Sequence, residues 1–174
     1  MHVFETERLV LHRLDAQDAP FILELVNESG WLRFIGDRKV HDLDAARRYI
    51  ENGPQAMYQR YGYGLYGVQL RDGTPIGMCG LVKREGLEDA DLGFALLGRF
   101  EGKGFAREAA AATLVHASRD HGLRRLAAIT NPANVRSIRL LQAIGFKAAG
   151  ERRLTPEAEP VSFFLWHSVA ASGA

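Results

Sequence analysis

What the chain lacks narrows it first. A single cysteine, Cys79, rules out an internal disulfide and suits a reducing compartment. No apolar run approaches the roughly 18 residues of a membrane-crossing helix, and the first residues carry no signal-peptide core. Neither charge is in excess. The 22 basic and 21 acidic side chains leave +1 at pH 7, which gives no electrostatic reason for a nucleic-acid or membrane partner. These absences describe a soluble, cytoplasmic protein. Metal-ligand spacing is missing too: His2, His12, His41, His116, His121 and His167 pair with neither Cys nor acids at ligand spacing, so no metal is expected. There is no Gly-x-Ser-x-Gly nucleophile elbow. Cys79 sits in a strand pattern, where a thiol is usually a small core residue.

What is present reads as one α+β domain over residues 1–174, with a core from about 6 to 167 and a tail, Ala170-Ala171-Ser172-Gly173-Ala174, expected to fray. Arg8 to Leu14 alternates as a strand. Asp15 and Asp18 can cap a helix running to about Asn27. Trp31, Leu32, Phe34 and Ile35 follow in a loop or short helical turn. Asp42 caps a helix through Ile50, which Gly53-Pro54 is expected to break before a shorter helix to Tyr61. Tyr63 to Arg71, Ile76 to Lys83 and Asp91 to Leu97 read as a three-stranded meander. A helix from Phe105 to His121 follows, with Ala109, Ala110, Thr113, Leu114 and Ala117 on its apolar face and Gly122 to end it. A strand from Arg125 to Thr130, a helix around Ile138 to Ile144, and strands at Phe146 to Arg153 and Val161 to His167 complete the chain.

The chemistry concentrates in Gly98-Arg99-Phe100-Glu101-Gly102-Lys103-Gly104-Phe105-Ala106-Arg107, between a strand and a helix. Glycines permit a tight turn and keep Cβ atoms from a ligand. The unpaired amides of a first helical turn favour anions. Arg99, Lys103 and Arg107 add cations. This is a diphosphate-binding loop by its parts. A nucleotide P-loop needs one more residue between its glycines and a Ser or Thr after Gly-Lys. A dinucleotide fingerprint needs a small residue where Arg107 stands.

Arg99-x-x-Gly102-x-Gly104 matches the pattern [Gln/Arg]-x-x-Gly-x-[Gly/Ala] and resembles the coenzyme A loop of the GCN5-related N-acetyltransferase (GNAT) superfamily. Asn134-x-x-Ser137-Ile138-x-Leu140-Leu141-x-x-x-Gly145-Phe146 is similar to a second segment of that family. Thr6-Glu7-Arg8-Leu9-x-Leu11-x-x-Leu14 resembles the opening of its ribosomal-protein N-terminal acetyltransferase branch. The resemblance runs from about Thr6 to Trp166. It implies a mixed, mostly antiparallel sheet of about seven strands, splayed in the middle, with helices on both faces.

It also implies an enzyme that moves an acetyl group from acetyl-CoA to a primary amine, either a protein N-terminus or a small molecule. Transfer of a longer acyl group and a non-catalytic acyl-CoA-binding domain stay open as alternatives, as do the acceptor and the oligomeric state, a homodimer included. The resemblance assigns coenzyme A to the backbone of Phe94, Ala95, Leu96 and Leu97, to Arg99, Phe100, Gly102, Lys103, Gly104, Phe105 and Ala106, and to Asn131, Asn134 and Ser137. An amine attacks only when neutral, and its pKa of about 8 to 10 calls for a base. Asp91 is the first candidate, standing where family members often have Glu, and Glu85 the second. Relatives carry a tyrosine as proton donor to the thiolate at the position of Leu141. Here Ser137, one turn earlier, is the remaining hydroxyl.

Overall fold

Ile76-Gly77-Met78-Cys79-Gly80-Leu81 is a run with no polar face, and such a strand must be covered on both sides. The computed structural model, which describes residues 1–169, covers it so. The tail expected to fray lies outside the described residues. Among them are eight strands: β1 (His2–Glu5), β2 (Leu9–Arg13), β3 (Leu65–Leu70), β4 (Pro75–Val82), β5 (Asp91–Leu96), β6 (Arg125–Thr130), β7 (Lys147–Arg152) and β8 (Val161–His167). They form one sheet in the order β1-β2-β3-β4-β5-β6-β8-β7. The short β1, which pairs with β2, is the strand the sequence pattern did not suggest. All neighbours are antiparallel except β5 and β6.

The helices divide between the two faces. On one, α1 (Ala19–Leu25), α2 (Ser29–Phe34) and α3 (Leu43–Ile50) bury Phe21, Ile22, Leu25, Trp31, Ala46 and Ile50 against Met78 and Leu97. On the other, α4 (Ala56–Tyr61), α5 (Phe105–His121) and α6 (Val135–Ala143) bury Tyr58, Ala109, Ala110, Leu114, Ala117 and Leu141 against Val68, Cys79 and Leu81. The Asp42 carboxylate caps α3 as expected, accepting from Ala45 N–H, whereas Asp15 caps a 3-10 turn, Ala16–Asp18, ahead of α1, and Asp18 at the N-cap of α1 gives that helix no side-chain bond. Gly53-Pro54 does not break the chain into two helices. Residues Glu51–Gln55 widen into a π-helical turn that carries α3 into α4, since Pro54 has no N–H to give to a regular turn.

α5 is the helix that aims at the site. Its apolar face is the one the sequence spacing marks, with Ala109, Ala110, Thr113, Leu114 and Ala117 all buried. Small residues let it lie close to β4, where Thr113 Oγ1 reaches Cys79 Sγ at 3.4 Å. Burial pushes the Cys79 thiol up to about 12, so it is core and not a nucleophile.

Gly80 sets the spacing of the sheet's centre. A Cβ there would meet the carbonyl oxygen of Gly64 at 2.1 Å and Leu65 Cα at 2.8 Å, both backbone. Gly80→Ala is therefore expected to destabilise the fold by about 1–3 kcal/mol, the usual cost of overpacking. A urea unfolding curve with an unchanged midpoint would show that the strands yield freely.

Candidate active site

The site begins where the sheet stops pairing. β5 and β6 share one registered pair, Asp91 with Ala127, supported by Ala127 N–H donating to Ala90 O at 2.9 Å. Beyond it the strands diverge. Antiparallel pairing uses the N–H and C=O of alternate residues. Leu97 N–H donates to Ile76 O on β4, so Ala95 and Leu97 turn their amides to β4 while Phe94 and Leu96 turn theirs to the gap. Of the four residues expected to offer backbone there, two do so. Leu97, 0% exposed, is core.

A cavity of about 730 Å³ lies along the freed edge of β5, between it and the N-terminal ends of α5 and α6. Phe94, Ala95 and Leu96 form one wall, Gly102, Gly104, Phe105, Ala106 and Arg107 one end, and Asn134, Ser137, Arg136 and Arg139 the opposite side. At the loop end, Gly102 and Gly104 take φ +77 and +82, a region that L side chains rarely adopt. The N–H groups of residues 102–107 have no acceptor among the described residues. Unshared amides at the opening turn of a long helix favour an anion. Arg8 props this turn: its Nη1 donates to Lys103 O at 3.0 Å, its Nε to Glu108 Oε2 at 2.6 Å, and its guanidinium lies 4.5 Å from the Phe105 ring centre.

The cations are arranged differently from the sequence expectation. Arg99 pairs with Glu24 and does not line the cavity. Lys103 lies outside the lining as well, its Nζ 5.8 Å from the Phe100 ring centre, and Phe100 itself packs against both cores. Side chains in a glycine turn go where partners are, and those partners come from distant helices. Of the three expected cations Arg107 alone lines the cavity, and Arg136 and Arg139 join it there. Arg136 is paired with Glu101, whereas Arg139 has no ion-pair partner among the described residues.

α6 presents the expected pair. Asn134 is its N-cap, accepting from Ser137 N–H at 3.2 Å, and both residues line the cavity. The Ser137 hydroxyl has no hydrogen-bond partner among the described residues, and the buried Leu141 offers no donor beside it.

A second cavity of about 170 Å³ adjoins the first, sharing Trp31, Phe94, Ala95, Asn134 and Ser137 with it. Asp91 is in its wall, 1% exposed, and receives Arg84 Nε at 3.0 and 3.3 Å. Burial raises the carboxyl to about 6 even though Arg84 pulls the other way. A carboxylate at that value is mostly ionised at pH 7 and still a usable base. Glu85 is a correction: it is exposed on its turn and lines neither cavity, because the turn between β4 and β5 directs Arg84 inward and Glu85 to solvent. Asn131 lines the small cavity and not the large one, its Oδ1 held by Ala133 N–H. Arg38, Tyr49, Arg84 and Thr130 also line the small cavity and were not singled out by the sequence. Only Arg84 had a readable signal, since a β4–β5 hairpin sets it beside Asp91. Among the described residues, no three His, Cys, Asp or Glu are grouped to hold a metal ion, and no helix is long and apolar enough to cross a membrane.

Known proteins share the sequence pattern and the fold of this chain. Residues 8–147 match a family model described as acetyltransferase (GNAT) domain. The chain is 28% identical to the uncharacterized N-acetyltransferase YoaA of Bacillus subtilis, over 87% of this chain and 86% of that one. It is 25% identical to the uncharacterized N-acetyltransferase p20 of Bacillus licheniformis, over 86% and 85%. Among solved structures, an acetyltransferase from Agrobacterium tumefaciens superposes with a TM-score of 0.81 at 24% identity, over 97% of this chain and 95% of that one. RimL, a ribosomal L7/L12 alpha-N-protein acetyltransferase solved in complex with coenzyme A, superposes with a TM-score of 0.81 at 19% identity, over 96% and 98%.

The Asp91 carboxyl is expected to titrate near 6 when followed by carbon NMR. Arg84→Gln should move that midpoint upward, because it removes both the cation and its hydrogen bonds. A wild-type midpoint at or below 4 would mean that Arg84 outweighs burial.

Proposed function

The chain belongs to the GNAT acetyltransferase family, and from that premise we propose that it transfers an acetyl group from acetyl-CoA to a primary amine by direct attack. The observation that carries this reading is the junction of two features: a strand edge with free backbone groups at Phe94 and Leu96, and an anion cradle of unshared amides at residues 102–107. The residues fit the donor. The cradle and Arg107 suit a diphosphate, Arg139 a further phosphate, and the edge of β5 together with Asn134 an arm bearing amides. Bound there, acetyl-CoA supplies an acetyl group activated as a thioester, so that a new C–N bond replaces the C–S bond.

The protein's own groups handle charge and protons. A backbone N–H at the β5 edge can donate to an acyl oxygen as negative charge grows on it. Asp91 accepts a proton from the acceptor ammonium, directly or through water, leaving the neutral amine. The second proton that leaves nitrogen as the amide forms balances the one that the departing sulfur, with a thiol pKa of about 8.5, takes up: Ser137 gives its hydroxyl proton to sulfur and regains one from nitrogen, directly or through water. The amine enters from the small cavity, since Asp91 lies there and Ser137 faces both.

The direct test is thiol release from acetyl-CoA with a panel of amines that includes N-terminal peptides. Turnover supports the transferase; tight binding without turnover on any amine favours a silent acyl-CoA-binding domain. Two variants separate binding from chemistry. Gly104→Val forces a β-branched residue into φ +82, with its Cβ 3.3 Å from Arg8 Nη2, and should weaken acetyl-CoA binding at least tenfold by calorimetry. Unaltered affinity in a folded Gly104→Val protein would remove the cradle from the site. Ser137→Ala should lower kcat by about 10²-fold or more while acetyl-CoA affinity changes little. An unchanged kcat would remove Ser137 from the proton path.

A further inference from the structure

The small cavity carries a charge pattern that a bare amine does not use. Asp91 is its one acid. Two arginines share its wall: Arg84, in contact with Asp91, and Arg38, from the loop after α2. Arg84 spends its Nε on Asp91 and keeps its terminal nitrogens free among the described residues. Arg38, exposed on its loop, has no ion-pair partner among them. Tyr49 stands in the same wall with its hydroxyl unbonded among the described residues, and both guanidiniums act on that hydroxyl electrostatically. The pocket is therefore a dipole: one carboxylate beside the acyl-transfer edge, and an excess of positive charge with a hydroxyl donor further out. At about 170 Å³ it is the smaller of the two adjoining cavities, so the acceptor's reacting end is the part it encloses.

Resting on the transferase reading above, we infer that the acceptor is a small primary amine that also bears a carboxylate, with its ammonium directed to Asp91 and its carboxylate to Arg38 and Arg84. A guanidinium binds a carboxylate through paired N–H donors, and Arg38 is the group with all its donors uncommitted. A zwitterionic acceptor sets its ammonium against the acid and its carboxylate against the guanidiniums, and adds nothing to the pocket's net charge of +1. A polyamine would set its second cation against two guanidiniums, and an N-terminal peptide would offer them a neutral amide in place of an anion.

The test measures kcat/KM with acetyl-CoA for matched acceptors: amino acids, their carboxamides, an N-terminal peptide and a polyamine. The acid of each pair is expected to exceed its carboxamide at least tenfold. Arg38→Ala should cut that acid-to-amide ratio at least tenfold through KM for the acid, and Arg38→Lys should restore part of it. Acetyl-CoA affinity by calorimetry reports that each variant is folded. Carboxamides, peptide or polyamine used as well as the acids would overturn this assignment alone. An acid-to-amide ratio that survives Arg38→Ala in a folded variant would overturn it too. No turnover on any amine would overturn it together with the transferase reading.

Discussion

The structure depends on a failure of two strands to pair. β5 and β6 meet at Asp91 and Ala127 and then part, although both are extended and each is fully paired on its other side. Each peptide group left without a strand partner forgoes a hydrogen bond worth about 1 kcal/mol, so a free edge inside a sheet is held open only if the rest of the fold outweighs it. Here the two cores do so independently. α1 to α3 clamp one face through Met78 and Leu97, and α4 to α6 clamp the other through Cys79, Leu81 and Leu126. Neither core needs β5 and β6 to zip further. The gap is thereby built by packing on either side, and an extended ligand can complete the sheet where the protein does not.

The same logic governs the cradle. Net charge is +1, and the proposed diphosphate site owes nothing to it. Its attraction is local: six unshared amides at the mouth of α5, and three arginines along the cavity of which one is already neutralised by Glu101. Backbone dipoles fixed by Gly102 and Gly104 need no side-chain ordering on binding, so their contribution is not offset by rotamer entropy. Arg8 explains the Thr6-Glu7-Arg8 opening in physical terms. It ties the second strand to the loop through Lys103 O and Glu108, so the first residues of the sheet fix the shape of a turn a hundred residues later.

Legibility in the sequence followed the range of each interaction. Gly102-x-Gly104, the Asn134 cap and the apolar face of α5 depend on neighbours within a few residues, and each stands where spacing indicates. Arg99 and Lys103 also looked local, as cations in an anion loop. Their directions are set by Glu24 and the Phe100 ring, which spacing does not reveal. Ala95 and Leu97 were indistinguishable from Phe94 and Leu96 until the β4 register fixed which amides turn away. Asp91 and Glu85 differ by a turn, and that turn buries one and exposes the other. The small cavity was least readable, since Arg38, Tyr49, Arg84 and Thr130 come from four separate segments.

The electrostatics of that cavity also bear on how one aspartate can serve as base. Arg84 lowers the proton affinity of Asp91 while burial raises it, and burial prevails. An acceptor carboxylate that shares Arg84 would spread the guanidinium's field over two anions. Its own charge would act on Asp91 in the same direction as burial. Both effects raise the proton affinity of Asp91 when an acidic acceptor is in place, narrowing the gap to an ammonium of pKa about 8. The group that selects the acceptor would then also strengthen the base that deprotonates it, and an acceptor lacking the anion would meet a weaker one.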